Sequence, residues 1–141
     1  MVLHRMNSYG FARICTVFLT VLCFCACTSK PELPPEEQAA AVAKSSYEAL
    51  YDGHPELFLD ARLDADKIPQ DYRNLLLEAY RLHAKQIDEQ HKGVSSIDFS
   101  RATMDTALNV LQVFLVFNYG DASKEEVVVP MVKHDDKWLM K

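Results

Sequence analysis

The residues with the most chemistry to offer are four cysteines and five histidines, and neither set is spaced as a working site. Cys15, Cys23, Cys25 and Cys27 are the chain's only thiols, and the 114 residues after Cys27 hold none. Three of the four stand inside an apolar run, with no histidine or carboxylate close by to complete a zinc ligand set. A body carrying one terminal cysteine needs no disulfide in any redox compartment. His83 and His91 fall on one predicted helix, but their eight-residue spacing parts them by about 12 Å along its axis, too far to share an ion. His91 with Asp88 or Glu89, and His134 with Asp135 and Asp136, read as solvated surface charges. His83 sits on an apolar row, where a histidine is more often a hydrogen-bonded core residue than a functional one. No catalytic, metal-binding or cofactor-binding residue is expected.

The cysteines make sense in the element that carries them. Residues 1–13 contain Arg5 and Arg13 and no acid, and residues 14–26 are an uncharged apolar run of 13 residues. A bilayer span needs about 20 such residues, so this is the pattern of an export signal rather than of a membrane helix. A start at Met6 would keep Arg13 and leave the reading intact. The run ends in Phe24-Cys25-Ala26-Cys27. This resembles the lipobox of bacterial lipoproteins, with Ala26 as the small residue before the cut. The resemblance implies that residues 1–26 are removed and that Cys27 carries the acyl chains. Phe24 stands where leucine is commoner, and taking Cys25 as the acceptor would put that bulky side chain at the cut. Two or more acyl chains, at about 0.8 kcal/mol per buried methylene, hold a protein stably on a membrane. Thr28 is not the acidic residue that retains some lipoproteins at the inner membrane, so the outer membrane is the expected location, on either face.

Beyond the leader lie 115 residues, enough for one core, with 13 basic and 20 acidic side chains and a formal charge of −7. No basic run follows the leader, which argues against nucleic acid as a partner. Residues 27–36 are polar with three prolines between Pro31 and Pro35, the composition of an extended tether. Residues 37–141 are the expected domain. A helix is predicted over 35–52, opened by Glu36 and Glu37 and closed by Gly53, with Val42, Ala43, Ser46, Tyr47 and Leu50 as its buried stripe. A short helix follows at 54–59. The third helix, 70–92, lies between Pro69 and Gly93, with Tyr72, Leu76, Ala79, His83 and Ile87 along its inward side. The period then changes to that of strands. Ile97 and Phe99 alternate with polar residues, a break is expected at Met104-Asp105-Thr106, and residues 107–119 form a strand apolar on both faces. Residues 126–133 return, with Pro130 marking a bulge or an exposed edge, and residues 138–141 close the meander. Helices first and an antiparallel meander after them define an α+β fold with helices on one sheet face.

This order resembles the nuclear transport factor 2-like (cystatin-like) fold, a curved antiparallel sheet of about four strands around helices. More narrowly, it resembles small bacterial lipoproteins that carry such a domain. The likeness rests on Tyr47 to Gly53, on Gly93 to Phe99 after a long helix, on Phe117-Asn118-Tyr119-Gly120-Asp121, and on Val132 to Trp138, with Asp136 where glycine is common. It covers about residues 37–141, and its motifs are turns and core positions. Enzymes of the fold, ketosteroid isomerases and scytalone-type dehydratases among them, place a carboxylate of raised pKa and a tyrosine or histidine inside the cone. The residues here that could face such a cone are Tyr47, Tyr51, Tyr80, His83, Asp98 and Tyr119, of which Tyr47, Tyr80, His83 and Tyr119 are the expected pocket lining. None matches an enzyme motif of the fold residue by residue. The doubly apolar strand must meet helices on one side and a small apolar ligand, a second copy of the chain or more of the protein on the other. The expected function is therefore a lipid-anchored envelope protein with a non-catalytic ligand-binding or protein-interaction domain. An isomerase, dehydratase or cyclase, or an accessory subunit of an envelope complex, are the other readings.

Overall fold

The computed structural model describes residues 32–141, so the leader, Cys27 and most of the tether lie outside the described residues. Helix α1 runs Pro35–Tyr51, α2 Pro55–Asp60 and α3 Gln70–His91, with one 3-10 turn at Ala65–Lys67. Four strands follow, β1 Val94–Asp105, β2 Val110–Tyr119, β3 Lys124–His134 and β4 Lys137–Met140, in the antiparallel order β1-β2-β3-β4. This is the predicted α+β meander.

Proline opens α1 and α2, where a missing N–H costs nothing, and Glu36 and Glu37 sit at the positive end of the α1 dipole. Ala39, Ala40 and Ala43 are buried, and their short side chains let α1 lie close across the sheet. The covered sheet face supplies Ile97, Leu111, Val113, Leu115, Phe117, Val129, Met131 and Met140. Edge-to-face aromatics tie the layers together. Tyr47 meets Phe58 at 4.9 Å and Phe117 at 5.2 Å between ring centroids, and Phe58 meets Tyr80 at 5.1 Å. One aromatic line thus joins α1, α2, α3 and β2.

Two expectations are corrected, and of the two alternatives for Pro130 the edge is the one found. Helix α3 has no buried residue, and its inward row is Arg73, Leu76, Leu77, Tyr80, Ala84 and Ile87. Tyr72, Ala79 and His83, expected on that row, are exposed, because docking Tyr80 onto Phe58 rolls the helix away from them. The break between the first two strands falls later than expected: β1 continues through Asp105, whose carboxylate accepts the N–H groups of Ala107 and Leu108 at 3.0 and 3.1 Å. Asn109, at φ 51°, completes that turn and leaves Leu108 outside the strand. Pro130 causes no bulge, since it pairs in register with Gln112 of β2. Its carbonyl accepts the Lys141 N–H at 2.9 Å, so the missing donor faces the side where β4 has ended.

The far face of β2 differs from the covered one. Gln112, Phe114, Val116 and Asn118 are half-buried there, and no second layer lies over them among the described residues. Instead the Arg101 guanidinium lies 3.7 Å from the centre of the Phe114 ring and forms a paired ion contact with Glu126 at 2.7 and 3.1 Å.

The end of α3 is clasped by the β2–β3 turn. Lys92 and Gly93 turn the chain with φ of 60° and 75°. Gly120 donates to the Gly93 carbonyl at 3.0 Å, and Asp121 donates to the His91 carbonyl at 2.9 Å. A Cβ on Gly120 would stand 2.3 Å from the Lys92 carbonyl oxygen, so only glycine allows this approach. The motif pieces at Gly93 and Gly120 are two halves of one contact.

Candidate functional site

A half-open cleft of about 360 Å³ lies between α3 and the chain leading into it, lined by Arg62, Leu63, Asp64, Ile68, Tyr72, Leu76, Tyr80 and Lys141. Tyr72, Leu76 and Tyr80 recur every four residues and form one wall along α3. The opposite wall is fixed to the sheet. Arg62 forms a parallel bridge with Met140, the Leu63 N–H reaches the Met140 carbonyl at 2.8 Å, and the Met140 N–H reaches the Ala61 carbonyl at 2.8 Å. The 3-10 turn then delivers Ile68 to the floor, and Pro69 starts α3.

The charges of this cleft are unequal. Asp64 is matched by Lys67 at 2.7 Å, and nearby Asp60 by Arg73. Arg62 has no ion pair or side-chain hydrogen bond among the described residues, and the same holds for the hydroxyls of Tyr47, Tyr72 and Tyr80. Burial pushes the Tyr47 hydroxyl up; the field of Arg62 opposes this and Tyr80 adds to it.

The predicted lining residues fall in three places. Tyr80 lines the cleft and Tyr47 stands behind it in the aromatic line. His83 is exposed, with its Nε2 3.3 Å from the Tyr51 hydroxyl, which burial pushes up to about 12. Tyr119 is buried near the other end of β2 and donates to Glu125 at 2.7 Å. Burial and the Glu125 carboxylate both push its hydroxyl up. Asp98 faces away from the helices, across from Val116, and accepts the Asn118 amide at 2.7 Å.

One constellation has the composition of a nucleophilic triad without its geometry. His91 Nδ1 lies 3.0 Å from the Asp121 carboxylate and 3.4 Å from the Ser123 hydroxyl. A serine triad places the acid and the nucleophile on opposite ring nitrogens; here both meet the same one, and the Ser123 hydroxyl donates to Asp121 instead. That hydroxyl, the Ser123 N–H and His91 hold the Asp121 carboxyl down to about 2. His91 also stacks on Tyr119 at 4.7 Å, so the group fastens the end of α3. Among the described residues no three metal-ligating side chains converge.

Sequence reasoning missed Arg62, Leu63 and Ile68, because they sit in a polar connection with no periodicity of its own. The sole signal there was the interruption of the acids 60–71 by Leu63 and Ile68.

No family model matches the chain, and no curated protein matches it. Among solved structures, the chain is similar to a protein of Campylobacter jejuni provisionally named an NTF2-like transpeptidase. The TM-score is 0.55 and the identity 15%, over 71% of this chain and 94% of that one. At that identity the likeness concerns the fold alone. The three helices on a four-stranded antiparallel meander are a nuclear transport factor 2-like α+β fold.

Proposed function

We propose that the chain is a lipid-anchored envelope protein whose domain is a non-catalytic binding module, taking a small, largely apolar ligand in the cleft along α3. The observation that carries this reading is the lining: Leu63, Ile68, Tyr72, Leu76 and Tyr80 surround about 360 Å³, within the range of small-molecule sites. The groups best suited to proton or acyl transfer are committed elsewhere, Asp121 and Ser123 to the α3 clasp and Asp98 to Asn118. A transpeptidase role, the name given to the Campylobacter protein, calls for an acyl-accepting nucleophile. After Cys27 the sequence has no cysteine, and Ser123 is aimed at Asp121.

The anchor rests on residues 14–27. No helix of the described residues is long and apolar enough to cross a membrane, so on this reading attachment comes from acyl chains on Cys27. Cys27→Ser is expected to abolish palmitate labelling and membrane partition, and unchanged partition would remove the anchor. For the cleft, the mature chain in phosphatidylcholine nanodiscs is titrated with 3-phenylpropanol, with the methyl resonances of Leu63, Ile68 and Leu76 followed. Saturable shifts that Leu76→Trp abolishes are expected. Absence of shifts in the wild-type chain refutes the site.

A second reading, an isomerase-type enzyme, has one observation in its favour, the 3.3 Å approach of His83 to the Tyr51 hydroxyl. His83 is exposed and Tyr51 only half-buried, so the pair is not enclosed in a water-excluded pocket, which favours the binding module. The half-covered outer sheet face, where Val128 is 44% exposed, would suit a homodimer or a docking partner, and sedentary monomer behaviour in analytical ultracentrifugation would argue against the former.

A further inference from the structure

Resting on the cleft reading above, we infer that the ligand is an organic monocarboxylate, an aryl or alkyl body whose carboxylate is held by Arg62. The domain is acidic, and its other described arginines are matched, Arg73 by Asp60, Arg81 by Glu78 and Arg101 by Glu126, as are Lys67 by Asp64 and Lys133 by Asp136. At the cleft, Arg62 and Lys141 have no ion pair among the described residues, and only Arg62 offers a planar fork. Its main chain is held by the bridge to Met140, so the base of the side chain is positioned without using the guanidinium. Five N–H donors in a planar fork suit a carboxylate better than a lone hydroxyl, and the low-polarity walls strengthen the contact. Tyr72 and Tyr80 offer ring faces for the body of the ligand and hydroxyls for the second carboxylate oxygen. The one acidic side chain of the lining, Asp64, has its charge offset by Lys67, and Lys141 adds a side-chain ammonium. A carboxylate entering here gains a cation and displaces no existing partner.

The test compares 3-phenylpropanoate, 3-phenylpropanol and 3-phenylpropylammonium on the same nanodisc-bound chain, with the same methyl resonances. The carboxylate is expected to bind about tenfold more tightly than the alcohol, and the ammonium more weakly than either. Arg62→Gln should bring the carboxylate's affinity down to that of the alcohol, and Arg62→Lys should keep part of the preference. Raising salt should shrink the wild-type preference and leave the alcohol unaffected. Equal binding of carboxylate and alcohol overturns this inference and leaves the cleft standing. Binding of neither overturns both. A uniform loss of all three ligands in Arg62→Gln would make Arg62 a structural wall, and the inference fails.

Discussion

Gly120→Ala isolates one contact whose cost can be worked from distances. The Gly120 backbone is outside the left-handed region, so alanine meets no torsional penalty there. The added Cβ would lie 2.3 Å from the Lys92 carbonyl oxygen and 2.9 Å from the Lys92 Cβ, about an ångström inside ordinary contact. Absorbing the overlap in place costs about 1–3 kcal/mol, by the measure of overpacked cores. Relieving it by moving the turn would stretch the Gly120 and Asp121 N–H bonds to the Gly93 and His91 carbonyls, at about 0.5–1.5 kcal/mol each. Alanine stiffens the unfolded chain and returns about 0.4–1 kcal/mol. The net is a loss of about 0.5–2 kcal/mol, which for a domain of this size lowers Tm by roughly 3–10 °C. Differential scanning calorimetry measures the loss, and hydrogen exchange at the Asp121 amide should show that the opening begins in the clasp. A Tm within about 2 °C of wild type, well below the shift that 1 kcal/mol produces, would refute the contact. Gly53→Ala is the matching control: nothing lies within 4 Å of its Cβ, so any cost comes from φ of 91° alone.

Phe117→Ala removes the ring where Tyr47 and Tyr51 converge and should cost about 3–5 kcal/mol, read from denaturant unfolding. Arg101→Ala should shift the same unfolding curve only slightly, since the Glu126 pair is exposed and only the stacking on Phe114 adds to it. The Asp121 carboxyl titrates near 2 in the folded chain against an ordinary 3.8. Its contribution is therefore complete above about pH 4 and lost as pH falls toward 2. Asp121→Asn should flatten the stability profile across that window, and an unchanged acid limb would show that other carboxylates govern it.

Order, type and approximate limits of the elements were legible because their punctuation is local. Pro35, Pro55 and Pro69 open the helices, Gly53 and Gly93 close two of them, and period-two alternation marks the strands. The face of α3 was not legible. The helix carries one apolar row through Tyr72, Leu75, Ala79 and Leu82 and another through Leu76, Tyr80, Ala84 and Ile87. Periodicity fits both rows, and only the partner Phe58 on another helix selects the second. The same limit hid the cleft. Leu63 and Ile68 look like stray apolar residues in an acidic loop until Met140, almost eighty positions later, fixes where that loop lies. The pairing of His91 with Asp121 is also long-range, and nothing in the spacing of either announces it.

The bridge between Arg62 and Met140 has a consequence for when the site comes into being. Its two walls are neighbours in sequence, yet the wall bearing Arg62 is registered only by the last strand, at the far end of the domain. A chain that has laid down its helices and first three strands already holds the aromatic line, yet has nothing to orient the guanidinium. Ligand affinity would then report on whether β4 is seated, and a bound ligand would in turn slow the fraying of the shortest strand in the sheet.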